Sequence, residues 1–180
     1  METKNKVFIA TSIDGFIADK NGGIDWLNET PNPTGDDMGY NDFNKTVDAL
    51  IMGKNTFETV LGFGIDWPYS KPVFVLSTTL KEVPKGYEDK VFIVNGTLNE
   101  VLDTIHQKGF KNLYLDGGKT IQSFLKEDLV DDLCLTTIPV LLGEGIPLFT
   151  SMNKRQDFEL VESKVYLGQI VQSHFKRKRN

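Results

Sequence analysis

The sequence has very few of the residues that build disulfide frameworks and metal sites. One cysteine, Cys134, and two histidines, His106 and His174, occur among its 180 residues. A single cysteine excludes a disulfide framework and a cysteine-rich zinc site, and it favours a reducing compartment. No carboxylate or cysteine stands at metal-binding spacing from either histidine. We therefore expect a buried, structural Cys134, two structural histidines and no bound metal.

Long apolar runs and a signal segment are also missing. No stretch approaches the roughly 18 residues that a membrane helix requires. Residues 1–6 contain no apolar segment of the kind found in secretory signals. These absences predict a cytoplasmic protein that does not bind membranes.

The charge balance disfavours a nucleic-acid partner. The chain carries 20 basic and 25 acidic residues, and four of the basic ones stand together at 176–179. The remainder is therefore strongly acidic, whereas phosphates demand a basic surface. We interpret the basic tail as a solvated chain end. A nucleic-acid or membrane arm is the alternative, but neither aromatics nor an amphipathic helix accompanies it.

Short β-rich runs alternate with helical patterns along the whole chain. The predicted strands are residues 6–12, 49–53, 72–77, 90–94, 112–116 and 132–141. The predicted helices are residues 56–61, 98–108 and 120–126, with a weaker one within 37–47. Residues 157–176 are typical of two strands that turn near Leu167 and Gly168. We therefore expect a single α/β domain over residues 1–180, with three layers and a mixed, mostly parallel sheet of about eight strands.

Two strand-to-helix junctions share one design. In each, an apolar strand ends in glycine, and a lysine and a threonine then open a helix, as in Gly53-Lys54-Asn55-Thr56 and Gly117-Gly118-Lys119-Thr120. Glycine permits close approach of a phosphate, and a helix amino terminus offers unpaired N–H groups and a positive dipole end. Since carboxyl ends of parallel strands meet at one edge, the two junctions together could hold both ends of a dinucleotide. Taken singly, each junction is equally compatible with an ordinary tight turn.

A glycine-containing loop follows the first strand. It carries Gly23, Ile24, Asp25 and Trp26, and we interpret it either as a mobile wall over a ligand or as a surface loop anchored by one aromatic residue.

Acidic residues cluster further on at Asp36, Asp37 and Asp42, with Tyr40 and Phe43 between them. A carboxylate beside aromatic rings can hydrogen-bond a heterocycle or supply a proton. The alternative, which we favour for two of the three, is that they are acids stabilised at a helix amino terminus.

The ordered set of motifs resembles the dihydrofolate reductase-like superfamily. The closer resemblance is to the reductase domain at the C-terminal end of the bifunctional riboflavin-biosynthesis deaminase/reductase. The motifs that carry it are SIDGFIA at 12–18, GIDW at 23–26, IMGKNTFE at 51–58, VLS at 75–77, DGG at 116–118, LVDDL at 129–133 and IPVLLGEGIPLF at 138–149. Their order and spacing fit across nearly the whole chain.

The resemblance implies a fold of eight strands and four helices, and NADPH as the hydride donor. It places the cofactor on the residues Ala10, Ile17, Gly23, Ile24, Gly53, Lys54, Asn55, Thr56, Ser77, Thr78, Gly117, Gly118, Lys119, Thr120 and Ile121. It also implies a homodimer, for which residues 138–142 and 146–149 are the predicted surface. The chain lacks the residues of a zinc deaminase, so it would be a stand-alone reductase domain.

On the substrate side, the resemblance implies a carboxylate and a group that holds an anionic tail. Asp37 fits the carboxylate best by its distance from Gly53, with Asp36 and Asp42 as alternatives, and Asp25 is the second candidate for proton transfer. Trp26, Phe43 and Lys71 are the substrate-binding candidates. Lys71 stands where the folate-reducing members carry an arginine that grips the folate carboxylate.

The expected activity is hydride transfer from NADPH to a pyrimidine- or pterin-like substrate, as in 5-amino-6-(5-phosphoribosylamino)uracil reductase. The alternatives are a dihydrofolate reductase and an NADPH-binding protein without turnover.

Overall fold

Strands and helices alternate along the chain as its apolar periodicity predicts. The computed structural model describes residues 2–179. Its strands are β1 Lys4–Ser12, β2 Phe16–Ala18, β3 Ala49–Gly53, β4 Val73–Leu76, β5 Val91–Val94, β6 Asn112–Asp116, β7 Asp132–Ile138, β8 Ile146–Pro147, β9 Asp157–Tyr166 and β10 Ile170–Lys178. Its helices are α1 Tyr40–Lys45, α2 Lys54–Gly62, α3 Leu98–Gln107 and α4 Gly118–Lys126, and a single 3-10 turn covers Asp25–Asn28.

One large sheet organises the fold. Its eight strands run in the order β5-β4-β3-β6-β1-β7-β10-β9, and β2 and β8 form a separate two-stranded sheet. The six strands from β5 to β7 in that order are parallel, whereas β10 and β9 are antiparallel. The predicted mixed sheet with an antiparallel edge is therefore confirmed. The predicted turn at Leu167 and Gly168 joins β9 to β10, and both residues have positive φ, which suits a tight hairpin.

Helices cover both faces of the sheet, which gives the predicted three layers. On one face the core contains side chains of α3 and α4, among them Ile105, Ile121 and Phe124. On the other face it contains Phe57 of α2, with Phe43 of α1 packed against it. No helix within residues 2–179 is long and apolar enough to cross a membrane.

Two sequence predictions are corrected. The strand predicted over residues 132–141 ends at Ile138, because Pro139 follows and supplies no N–H to the ladder. The basic tail is not a solvated chain end, since β10 extends to Lys178.

The tail arginines fasten β10 to the corner between α4 and β7. Arg177 donates from Nε and Nη2 to the two carboxylate oxygens of Asp128, at 2.7 and 3.0 Å. Arg179 donates to the carbonyl oxygen of Asp128 at 2.8 Å and to the carboxylate of Asp131. The other oxygen of Asp131 accepts the backbone N–H of Asn5 at 2.7 Å. This corner therefore ties the first strand and the last strand to the loop that precedes β7.

Candidate active site

The two glycine junctions lie side by side at the carboxyl-terminal edge of the sheet. β3 and β6 are neighbouring parallel strands, and Met52 pairs with Asp116 just before the two junctions. A Cβ atom placed on Gly117 would lie 2.1 Å from Thr56 Oγ1, and one placed on Gly53 would lie 3.4 Å from Thr120 Oγ1. Each threonine thus occupies the space beside the other junction's glycine. The two predicted junctions form one continuous surface.

The amino termini of α2 and α4 are open. Neither helix has a side-chain cap or an acidic residue in its first turn, and Lys54 and Lys119 stand there instead. In contrast, α3 is closed by the predicted capping box, in which Thr97 Oγ1 accepts the N–H of Glu100. Unpaired N–H groups, the helix dipole and a lysine all favour a bound anion. Two open termini on adjacent strands therefore fit the phosphates of a dinucleotide.

The turn after β4 is built around Ser77. Its buried hydroxyl accepts the backbone N–H groups of Thr79 at 3.2 Å and Leu80 at 2.9 Å, so it shapes the turn. Thr78 is exposed, and its carbonyl oxygen accepts a hydrogen bond from Lys81 Nζ at 3.2 Å. Lys81 is a cation beside the predicted adenosine phosphate site that the sequence analysis did not single out.

The remaining cofactor candidates divide between surface and core. A Cβ atom on Gly118 would lie 2.6 Å from Ile17 Cδ1, so β2 covers this glycine. Asn55 is exposed at the start of α2. Thr120 is 3% exposed and Ile121 is fully buried, so any contact from Ile121 comes from its backbone.

The loop after β1 is fastened at its start. The Asp14 carboxylate accepts hydrogen bonds from Ser12 Oγ at 2.6 Å and from the N–H groups of Gly143 at 2.8 Å and Leu142 at 3.2 Å. These bonds hold the pKa of Asp14 below its usual value. Further on, the N–H of Gly23 donates to the carboxylate of Asp19 at 2.8 Å.

Trp26 is anchored in a small core beside β1, β7 and β10. It is 6% exposed, and it lies in one cluster with Ile138 and Ile170, against which Ala10 and Met38 pack. Its buried Nε1 has no hydrogen-bond partner within the described residues. Because a buried donor without an acceptor is costly, this N–H marks a place where a ligand or a water would add an acceptor.

Asp37 and Asp42 of the acidic cluster line one cavity beside β1, β7 and β10. The two oxygens of Asp37 accept the backbone N–H groups of Gly39 and Asn41, both at 2.9 Å, and these bonds hold its pKa below the usual value. Asp42 is exposed and pairs with Lys45 at 2.7 Å. Asp25, at the start of the 3-10 turn, is also exposed. Asp37 and Asp42 thus serve the start of α1, whatever else they contact.

Phe43 and Lys71 occupy different parts of the molecule. The Phe43 ring packs on Phe8 and Tyr114, with ring centroids 5.0 and 5.1 Å apart. Lys71 precedes β4. The pKa of Asp48 is lowered mainly because its carboxylate accepts two backbone N–H groups, and the charge of Lys71 adds a smaller effect in the same direction. The four residues of β4 separate Lys71 from the carboxyl edge by about 13 Å, at roughly 3.3 Å a residue.

A carboxyl and two tyrosines form a site that the sequence analysis noticed only as part of a motif. Asp116 ends β6 directly before Gly117, and Tyr69 Oη donates to its Oδ2 at 3.1 Å. Burial raises the pKa of Asp116, and burial together with Asp116 raises the pKa of Tyr69 and of Tyr40. An acid that ends a buried strand before two glycines was a usable signal. No sequence pattern indicates Tyr69.

No cluster of histidine, cysteine and carboxylate side chains able to hold a metal ion occurs within residues 2–179. The described site therefore consists of helix termini, glycines, one half-buried carboxyl and aromatic hydroxyls.

Comparison with known proteins agrees with this geometry. The model of the RibD C-terminal domain family matches residues 5–172. A solved structure from Shewanella sp. PV-4, assigned to riboflavin biosynthesis, is 53% identical with a TM-score of 0.95, over 98% of this chain and 99% of that one. Uncharacterized protein YwjB of Bacillus subtilis (strain 168) is 37% identical over 180 residues, which cover 98% of this chain and 99% of YwjB.

A more distant structure shares the fold. The diaminohydroxyphosphoribosylaminopyrimidine deaminase/5-amino-6-(5-phosphoribosylamino)uracil reductase of Thermotoga maritima is 14% identical with a TM-score of 0.76. The match covers 98% of this chain and 57% of that one.

The order of the strands and the layers defines a three-layer α/β domain with the dihydrofolate reductase-like fold. Within that class, the chain belongs to the RibD C-terminal domain family. The family expected from the sequence motifs is therefore confirmed.

Proposed function

We propose that the protein is an NADPH-dependent reductase that transfers a hydride to a pyrimidine- or pterin-like substrate. The observation that carries this proposal is the pair of open amino termini of α2 and α4. These helices follow the neighbouring strands β3 and β6 and pack together through Thr56 and Gly117. Membership of a reductase-like family supports the same chemistry.

The hydrogen-bond donors at the carboxyl-terminal edge of the sheet suit the phosphate groups of NADPH. The N–H groups at the start of α2 and α4, with Lys54 and Lys119, would hold the diphosphate. Thr78 and Lys81 would receive the adenosine 2′-phosphate. Gly23 and Ile24, together with Ala10 and Ile17, are proposed to line the nicotinamide end. When bound, NADPH supplies the hydride, and the protein orients it against the substrate.

On the substrate side, a carboxyl is needed to orient the heterocycle or to move a proton to the atom next to the reduced carbon. Asp116 adds to the candidates Asp37 and Asp25, because it is half-buried at the end of β6 and adjoins the glycine junction. Trp26 and Phe43 are proposed to bound the heterocycle. Lys71 is proposed to hold an anionic tail long enough to reach the far end of β4.

We also propose a homodimer. On the outer face of β10 and β9, Leu160, Val165 and Val171 are 58%, 64% and 42% exposed. Ser163 and Ser173 lie on the same face, so this stretch of the two strands carries no charge there. Depletion of charge and exposed apolar side chains are typical of interface cores. In the two runs predicted from sequence, Ile138 and Leu148 are buried, whereas Leu141, Ile146 and Phe149 are exposed.

A cytoplasmic location and the absence of nucleic-acid partners belong to the same proposal. They rest on the single cysteine and the acidic charge balance.

Oxidation of NADPH, followed by its absorbance, tests the function. The substrates are the phosphoribosylaminopyrimidine of riboflavin biosynthesis, dihydropteridines and dihydrofolate. Turnover of a heterocycle supports a reductase. Tight NADPH binding without turnover of any of these substrates would favour the alternative of a non-catalytic NADPH-binding protein.

A further inference from the structure

A hydroxyl–carboxyl pair at the carboxyl edge is not explained by cofactor binding. Asp116 follows the buried strand residues of β6, and it lies on the same sheet face as Tyr114, two residues earlier. Tyr69 comes from the loop between α2 and β4, yet its Oη donates to Asp116 Oδ2 at 3.1 Å. This bond joins residues 47 positions apart in the chain.

The position of Tyr69 is fixed by aromatic packing. Its ring meets Trp67 edge-on at 5.2 Å, and Trp67 meets Phe57 of α2 at 6.0 Å and Tyr87 at 5.1 Å. Perpendicular aromatic contacts of this kind restrict the ring orientations that each residue can adopt. The hydroxyl of Tyr69 is therefore held in place independently of Asp116.

We propose that Tyr69 is a positioning residue, which fixes one oxygen of the Asp116 carboxyl and leaves the other oxygen to face the substrate. The inference rests on the proposed reductase function, in which Asp116 contacts the heterocycle. In this role Tyr69 acts through its bond to Asp116 and not by contact with the substrate.

The electrostatics of the pair give the direction of the effect. Burial raises the pKa of Asp116, while the bond from Tyr69 and the N–H of Gly117 act against that rise. The other groups coupled to this carboxyl are the hydroxyls of Tyr40 on α1 and Tyr114 on β6. Burial and the nearby Asp116 keep Tyr69 protonated, so it remains a donor at neutral pH. Removal of its hydroxyl is therefore expected to raise the pKa of Asp116.

Tyr69→Phe tests the proposal, because it removes only the hydroxyl and retains the ring that packs on Trp67. Tyr87→Phe is the matched control, since Tyr87 also packs on Trp67 but has no bond to Asp116. The first measurement uses the free protein: the ¹³C signal of the Asp116 carboxyl, assigned with Asp116→Asn, is followed against pH. We expect its midpoint to move up by about one pH unit in Tyr69→Phe and to stay unchanged in Tyr87→Phe.

The second measurement is the pH profile of kcat/KM for NADPH oxidation with the substrate found in the screen. In Tyr69→Phe we expect a loss of about tenfold at neutral pH and a displaced limb of the profile, with NADPH affinity unchanged. An unchanged carboxyl titration, or a loss shared equally by Tyr87→Phe, would overturn the proposal. An altered titration in a protein that reduces no substrate would instead refute the reductase function.

Discussion

Thr56 fills the space that any side chain on Gly117 would need. The Oγ1 atom of Thr56 lies 2.1 Å from the position of a Cβ on Gly117, and Gly117 has a φ of +87°. The first turn of α2 therefore packs directly against the glycine that precedes α4. The two helix termini that we propose to bind phosphates are held at a fixed separation, which is what recognition of one diphosphate by two helices requires.

Substitution of the two glycines of the second junction is expected to affect the stability of the protein differently. Gly117→Ala forces a side chain into Thr56 and into a positive φ, so it should lower the unfolding temperature by several degrees. Gly118→Ala meets only the flexible end of Ile17 at 2.6 Å, so its effect on stability should be small. NADPH affinity should fall in both. Thermal unfolding and calorimetric titration of the two variants check this. Unchanged affinity in Gly118→Ala would show that the glycine only forms the turn.

Cofactor choice should depend on the cation beside the turn after β4. We expect NADPH to bind at least about tenfold more tightly than NADH, the worth of one charge-assisted contact of ~1.4 kcal/mol. Lys81→Gln should reduce that preference, with NADH affinity unchanged. Lys85→Gln, which removes an exposed charge from the same segment, is the control. Equal dissociation constants for the two cofactors in the unmodified protein would contradict the assignment of Thr78 and Lys81 to a 2′-phosphate site.

Dihydrofolate should be a poor substrate because Lys71 replaces a bidentate arginine. A lysine gives one flexible donor, where the guanidinium gives two parallel charge-assisted bonds. The loss is about 1–3 kcal/mol, roughly ten- to a hundredfold in affinity. A Michaelis constant well above micromolar and weak methotrexate inhibition are expected, with improvement in Lys71→Arg. Efficient dihydrofolate turnover together with tight methotrexate binding would restore the folate enzyme as the better description.

The arginine corner predicts an acid-sensitive contribution to stability. The bond from Arg177 holds the pKa of Asp128 below its unfolded value near 3.9. The stabilisation is therefore present above about pH 4 and is lost as the pH falls through the folded pKa. Arg177→Ala should lower the unfolding temperature by about 2–4 °C at pH 7 and by less in acid. Arg155→Ala, whose side chain is 86% exposed beside Asp157, is the control and should change little. An equal loss at all pH values would mean that Arg177 acts through packing alone.

The outer face of β10 and β9 should be the dimer surface. Val165→Asp places a charge where Val171 lies opposite on β10, so it should convert a dimer into a monomer. Sedimentation at micromolar concentration measures the state, and Glu159→Gln on the same strand is the control. A monomeric unmodified protein, independent of concentration, would rule the dimer out.

Local patterns predicted most of the fold. The spacing of Thr97 and Glu100 predicted a capping box, and both of its hydrogen bonds are present in the structure. The two glycine junctions were visible because each is complete within a few residues. The contact between the two junctions through Thr56 and Thr120 was not visible in the sequence, because it depends on β3 and β6 being neighbours in the sheet.

Features that join distant segments escaped prediction. Strands β2 and β8 have three and two residues, too few for an alternating pattern, and only their pairing defines them. The Tyr69–Asp116 bond likewise has no local signature. The run of charge at 176–179 suggested solvation, because charge runs usually indicate it. Its true partners, Asp128 and Asp131, become evident only once β10 lies beside β7.

The central place of β1 has a consequence for how the chain folds. β1 is the first strand, but its neighbours are β6 and β7, and Lys4 pairs with Asn112 while Lys6 pairs with Asp132. During synthesis, this apolar strand must wait until more than half of the chain has emerged before its partners exist. Sequence-distant pairing of this kind gives a high contact order and slow folding, and it leaves the strand exposed to association with other chains in the meantime.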